Sequence, residues 1–166
     1  MLTHIHWHDY FRISAQPCLQ YSLGGQKMDN RHFARANVKW PVSISTDDSS
    51  RDGVTTDLSP SGAYIRCGSP LRLNEVFDLI IDVPDSDWLI EAKAEVVFSN
   101  IYGPDDNISP RGMGVRFLTI ASKDRQIIAK EVLQHLQAGK VEIDQWKLRS
   151  LQTLIIDENE MKPRGA

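Results

Sequence analysis

Between residues 37 and 117 the chain alternates apolar and polar residues with a period of two, in one short run after another. In "EVFDLIIDV" (75–83), Phe77, Leu79, Ile81 and Val83 alternate with Asp78 and Asp82. In "WLIEAKAEVVFSN" (88–100), Ile90, Ala92, Ala94 and Val96 alternate with Glu91, Lys93 and Glu95. Successive side chains of an extended chain leave opposite faces, so this period predicts half-buried strands. Six are predicted: about 37–46, 53–59, 63–67, 75–83, 88–100, and a last one carrying Met113, Val115 and Phe117. Polar stretches such as "TDDSSRDG" and "YGPDDNISPRG" separate them with turn chemistry. Six strands with mostly short connections suggest an antiparallel barrel or sandwich, and closing the sheet would dispose of its exposed edges.

The period then changes. "SKDRQIIAKEVLQHLQ" (122–137) sets Ile127, Ile128, Val132, Leu133 and Leu136 at helical spacing, with Ser122 expected as N-cap and Gly139 as the stop. This helix is expected over the barrel mouth. Residues 141–156, with Trp146, Leu151 and Leu154, suit a second helix or a partner-facing segment.

The 166 residues allow one domain with a genuine core plus extensions, and 41% hydrophobic with 25% charged residues is ordinary globular composition. A formal charge of −3 supplies no global basic field for long nucleic acid, so any anion binding must be local. Two cysteines, Cys18 and Cys67, without a CxxC pair fit reduced thiols and a cytoplasmic location. No apolar run approaches the ~18 residues of a membrane helix, and the start "MLTHIHWHDYFRISA" lacks the layout of a signal peptide. No membrane insertion is expected.

Local positive charge is found in "RHFARANVKWPVSIS" (31–45), where Arg31 and Arg35 precede an alternating run. A spacing of four shares a face on a helix, and an even offset shares a face on a strand, so both guanidiniums can aim at one ligand either way. Lys27 and Lys39 continue the spacing against Asp29. Arginine offers a planar fork for phosphate and for the O6/N7 edge of guanine. Alone, the pattern reads as a solvated charged face flanking a strand.

A second stretch is "TTDLSPSGAYI" (55–65). Asp57 and Ser59, two apart, share a face of a strand. The Asp57 carboxylate can accept from the N1–H and N2–H donors of guanine, Ser59 adds a hydroxyl, and Gly62 permits φ > 0 or a close approach of backbone to a planar ligand. The plain reading is that Ser59-Pro60-Ser61-Gly62 is a type I turn, although tight hairpins prefer the primed turns.

RxxxR followed some twenty residues later by DxSxxG resembles the PilZ domain family, the bacterial receptor module for cyclic di-GMP. Arg31 and Arg35 match its first motif; Asp57, Ser59 and Gly62 match its second. "GMGVRF" (112–117) looks like the family's glycine-rich last strand. The resemblance covers about residues 28–120. It implies a six-stranded antiparallel β-barrel with its arginine segment at 28–120; the residues themselves add an extension at 1–27 and, at 121–166, a helical extension of one or two C-terminal α-helices. It also implies the ligand, cyclic di-GMP, gripped by Arg31 and Arg35 at phosphate and guanine and by Asp57, Ser59 and the backbone near Gly62 at a guanine edge. Asn30, just before the motif, sits where the family's residue influences whether one or two ligand molecules bind, and asparagine leaves both open. Arg116 could add charge nearby.

The expected function is a non-catalytic receptor that relays ligand binding to a downstream protein partner by rearranging its N-terminal segment. The alternative is an adaptor of similar fold that does not depend on the nucleotide. A barrel binding single-stranded nucleic acid would want a basic groove and stacking aromatics, against which the acidic total argues. No nucleophile–base–orienter set suggests an enzyme. His4, His6 and His8 have a spacing that could hold zinc, but incidental histidines on an extension are favoured.

Overall fold

The computed structural model describes residues 32–106, 109–139 and 144–156. Arg31, Asn30, the extension 1–27 with His4, His6 and His8, and the relation of the extension to the barrel lie outside the described residues.

Six strands form: β1 (Pro41–Thr46), β2 (Ser49–Ser59), β3 (Gly62–Arg66), β4 (Val76–Asp82), β5 (Leu89–Asn100) and β6 (Gly112–Ile120). They close in the order β1-β2-β3-β6-β5-β4, with every pairing antiparallel. The expected barrel is therefore present. The alternation read from the sequence is the barrel's inside and outside: Phe77, Leu79 and Ile81 of β4 meet Ile90, Ala92, Ala94 and Val96 of β5 in one core, with Ile44, Leu58, Ile65, Met113 and Val115. Burying each large apolar side chain contributes roughly 1.5–3 kcal/mol relative to leaving it exposed.

Two boundaries differ from expectation. The first hairpin turns on Asp47 and Asp48 alone, so β2 begins at Ser49 within the polar cluster. Its early residues are polar because they face water, Ser50 and Asp52 being exposed. Residues 37–40, expected as the start of the first strand, are extended but not part of the regular ladder. They still alternate: Ala34, Ala36, Val38 and Trp40 are buried, while Arg35, Asn37 and Lys39 are exposed.

Two helices are present after the barrel, α1 (Ser122–Ala138) and α2 (Gln145–Ile156). α1 packs on the barrel through Ile128, Ala129, Val132 and Leu136, which join the barrel core. The cap corrects the expectation. Ala121 occupies the N-cap and makes no side-chain bond, while Ser122 is already helical. The first turn is pinned instead from across the fold: Trp88 Nε1 donates to Asp124 Oδ1 at 2.9 Å, and Lys123 Nζ lies 3.9 Å from the centre of the Trp88 ring. Gly139 ends the helix as expected. α2 packs against α1 and buries Leu151. Among the described residues, no helix is long and apolar enough to cross a membrane.

Candidate ligand site on the outer face of the barrel

The arginine segment is tied to β2 by buried hydrogen bonds. The bridge Ala36↔Leu58 is made in both directions, Ala36 N to Leu58 O at 3.0 Å and Leu58 N to Ala36 O at 2.9 Å. Thr55 completes the attachment: its Oγ1 donates to Val38 O at 2.6 Å and accepts from Trp40 N at 2.9 Å. A fully buried hydroxyl thus satisfies a donor and an acceptor where the ladder is irregular.

An antiparallel bridge fixes its neighbours. Ala36 opposite Leu58 sets Arg35 opposite Ser59 and Asn37 opposite Asp57, on the face turned away from the core. Continuing through the strand register gives two rows across the outer wall. One runs Asn37, Asp57, Tyr64, Gly114, Phe98; the other runs Arg35, Ser59, Gly62, Arg116, Glu95. Arg35 and Asp57 therefore stand on the same wall, one row apart.

Asp57 reaches that wall because of a bulge. The β2–β3 register shifts between Thr55 and Asp57, so Thr56 is an extra residue. Thr55 points into the core; strict alternation would have sent Asp57 there too. The bulge instead turns Asp57 outward and Leu58 inward. The Asp57 side chain is exposed and makes no hydrogen bond or ion pair among the described residues. It borders a groove of about 490 Å³ whose lining includes Lys39, Tyr64, Arg66 and Phe98.

Ser59 and Gly62 are placed differently from Asp57. Ser59 is 1% exposed, and its Oγ donates to Gly62 O at 2.9 Å across the hairpin. Gly62 does not have positive φ. A Cβ there would run into the carbonyl oxygen of Val115 on β6, so the glycine is required by the approach of a neighbouring strand. The two-residue loop Pro60-Ser61 also lacks positive φ, which excludes the primed turns. Arg116, in the same row, is held by Glu95, with Nε to Oε2 at 2.7 Å. His32, inside the first motif, is exposed and packs its ring against Phe33, with centroids 4.6 Å apart, and against Trp146 of α2 at 6.4 Å.

Beside the groove, Arg66 Nη2 meets Asp105 Oδ1 at 3.3 Å, and Asp105 also accepts from the Arg111 backbone N–H at 2.8 Å. That backbone N–H, aided by the Arg66 and Arg111 charges, holds the Asp105 carboxyl below its ordinary range. Burial, with Cys67 and Asp105 nearby, pushes the Tyr64 phenol above its usual value, so it remains a donor to Pro110 O at 2.6 Å. Among the described residues, no group of three or more His, Cys, Asp or Glu could hold a metal ion.

A sequence model of the PilZ domain matches residues 29–134. The chain belongs to the PilZ domain family. Solved structures agree on the fold. An inhibitor of motility from Bacillus subtilis, MotI (DgrA), is 21% identical with a TM-score of 0.56, over 69% of this chain and 55% of that one. The PilZ domain of YcgR from Escherichia coli, solved with c-di-GMP, is 12% identical with a TM-score of 0.51, over 67% of this chain and 95% of that domain. YcgR itself in complex with c-di-GMP is 13% identical with a TM-score of 0.55, over 67% of this chain and 48% of that one. The chain thus spans about half the length of MotI and of YcgR. No curated protein matches it.

Proposed function

We propose that this PilZ chain is a receptor for cyclic di-GMP, bound on the outer wall over β2 and β3 by Arg31, Arg35 and Asp57, with Ser59 and Gly62 shaping the hairpin that presents Asp57. The observation that carries the reading is the register: Arg35 and Asp57, from separate motifs, stand on one wall one row apart. In this reading Arg35, with Arg31, grips phosphate and the acceptor edge of one guanine. Asp57 accepts from the N–H donors of a guanine edge, a role suited to an exposed carboxylate with no partner among the described residues. Ser59 and Gly62 act by holding the hairpin close to β6 so that Asp57 is correctly presented. Three or four charge-assisted hydrogen bonds at roughly 1.5–3 kcal/mol each, less the ordering cost, reach the roughly −8 kcal/mol of a micromolar complex.

The signal passes through the N-terminal segment, which rearranges as Arg31 and Arg35 close on the ligand and so changes what a downstream protein partner meets. The receptor is non-catalytic. Titration calorimetry with cyclic di-GMP is the decisive test: saturable heat is expected, and Arg35→Ala should abolish it. Hydrogen exchange over residues 1–36 should slow on adding the nucleotide; unchanged protection would remove the relay.

The second reading is an adaptor independent of the nucleotide. It is favoured by apolar side chains exposed away from the groove, Ile80, Leu89 and Leu118 on β4, β5 and β6. A flat titration in wild type would select it.

A further inference from the structure

The far wall of the barrel differs in charge from the wall that carries the two motifs. In the closed order β1-β2-β3-β6-β5-β4, the β4–β5 seam lies across the barrel from the β2–β3 seam. From Val76 to Lys93 this hairpin holds five carboxylates, Asp78, Asp82, Asp85, Asp87 and Glu91, against one cation, Lys93. All six side chains are exposed. The surplus of acid in this one hairpin outweighs the net charge of the whole chain, −3. Lys93 is committed to Asp78 at 3.3 Å. The side chains of Asp82, Asp85, Asp87 and Glu91 make no hydrogen bond or ion pair among the described residues.

Apolar side chains stand among these acids, where alternation elsewhere places charge. The outward residues of β4 are Val76, Asp78, Ile80 and Asp82, and those of β5 begin Leu89, Glu91, Lys93. The pairs Ile80–Glu91 and Asp82–Leu89 set Ile80 and Leu89 on a diagonal, a spacing that long side chains bridge. The β5–β6 ladder shifts register twice, with Val97 an extra residue in β5 and Leu118 an extra residue in β6. The second bulge turns Leu118 to water beside Thr119, the partner of Lys93. Ile80 is 37%, Leu89 56% and Leu118 46% exposed, so each has apolar surface left to bury. A shallow groove of about 450 Å³ lies over these strands, its lining including Ile80, Glu91, Lys93 and Thr119.

We propose that this β4–β5–β6 wall is the docking surface for a basic amphipathic helix of a partner protein. Apolar residues at helical spacing on the partner meet Ile80, Leu89 and Leu118. Its lysines or arginines meet Asp82, Glu91 and the loop acids Asp85 and Asp87, which steer the encounter and set its orientation. A second copy of this chain fits poorly, because it would set five carboxylates against five. None of these residues lies in either row of the nucleotide wall, so the inference rests on neither reading of that wall.

The probe is a synthetic helical peptide with leucine on one face and lysine on the other, beside a twin with every leucine replaced by alanine. Titrated into the full chain and followed by amide NMR, the leucine peptide should bind saturably and shift signals at residues 78–93 and 117–121. Ile80→Gln should weaken it roughly 5- to 30-fold. Glu91→Lys should weaken it more at low salt than at high salt. That second variant removes no contact among the described residues, so it carries the test should Ile80→Gln fail to fold. Absence of saturable binding, or shifts confined to other parts of the barrel, would overturn the proposal. Equal binding of the alanine twin would reduce the wall to diffuse charge attraction and overturn it too. A dimer in sedimentation that Ile80→Gln dissociates would assign the wall to a second copy instead.

Discussion

Gly62 shows how a motif residue can be required for a reason other than ligand contact. Its neighbour is the backbone of β6, and any Cβ would collide with the Val115 carbonyl. Gly62→Ala should therefore lower stability in the absence of ligand, by the ~1–3 kcal/mol typical of overpacking a well-filled site. Thermal or urea unfolding of the apo protein measures it. An apo stability equal to wild type would mean that the glycine serves the ligand and not the strand approach. Asp57 is expected to behave in the opposite way. Its exposed carboxylate has no partner to lose among the described residues, so Asp57→Ala should leave apo stability nearly unchanged and weaken nucleotide binding.

Among the elements, the attachment of the arginine segment to β2 determines where Arg35 stands, and Thr55 is its fastener. Thr55→Val keeps the shape but leaves the Val38 carbonyl without the hydroxyl donor and the Trp40 N–H without the hydroxyl acceptor. A buried polar group stranded in this way costs about 1–3 kcal/mol. Hydrogen exchange should quicken at residues 36–40 more than in β4, and affinity for the nucleotide should fall although no proposed contact has been removed. Equal quickening everywhere would show only a general loss of stability. Thr55 precedes the second motif closely, yet nothing in its type separates it from Thr56, and only the bonds across the fold do so. The barrel itself is legible in the sequence, because period-two alternation is a local property that survives into the closed sheet. The bulges at Thr56 and Val97 are not. Each reverses the inward–outward assignment of the residues beyond it, so Asp57, which alternation from Thr55 would bury, stands outward, and so does Phe98, which alternation from Val96 would bury. Val96-Val97-Phe98, three apolar residues in a row, breaks the alternation without saying which of them faces out. Ser122 reads as the cap from its type, but Trp88 and Lys123 fix that end of α1 through contacts that no local window contains.

Taken whole, the proposed site exists only while the barrel is closed. Its rows draw on the arginine segment, β2, β3, β6 and β5, whose adjacency is lost together on unfolding. A ligand bound there recognises the native state alone, and mass action then fixes the gain: at one hundred times Kd, about 2.7 kcal/mol of added stability. For a domain of this size that corresponds to a rise in melting temperature of about 5–10 °C. The rise should grow with the logarithm of cyclic di-GMP concentration and vanish in Arg35→Ala. A wild-type melting temperature indifferent to saturating nucleotide would leave the wall without its ligand and return the chain to the adaptor reading. A rise that persisted undiminished in Arg35→Ala would instead locate binding away from the rows described here.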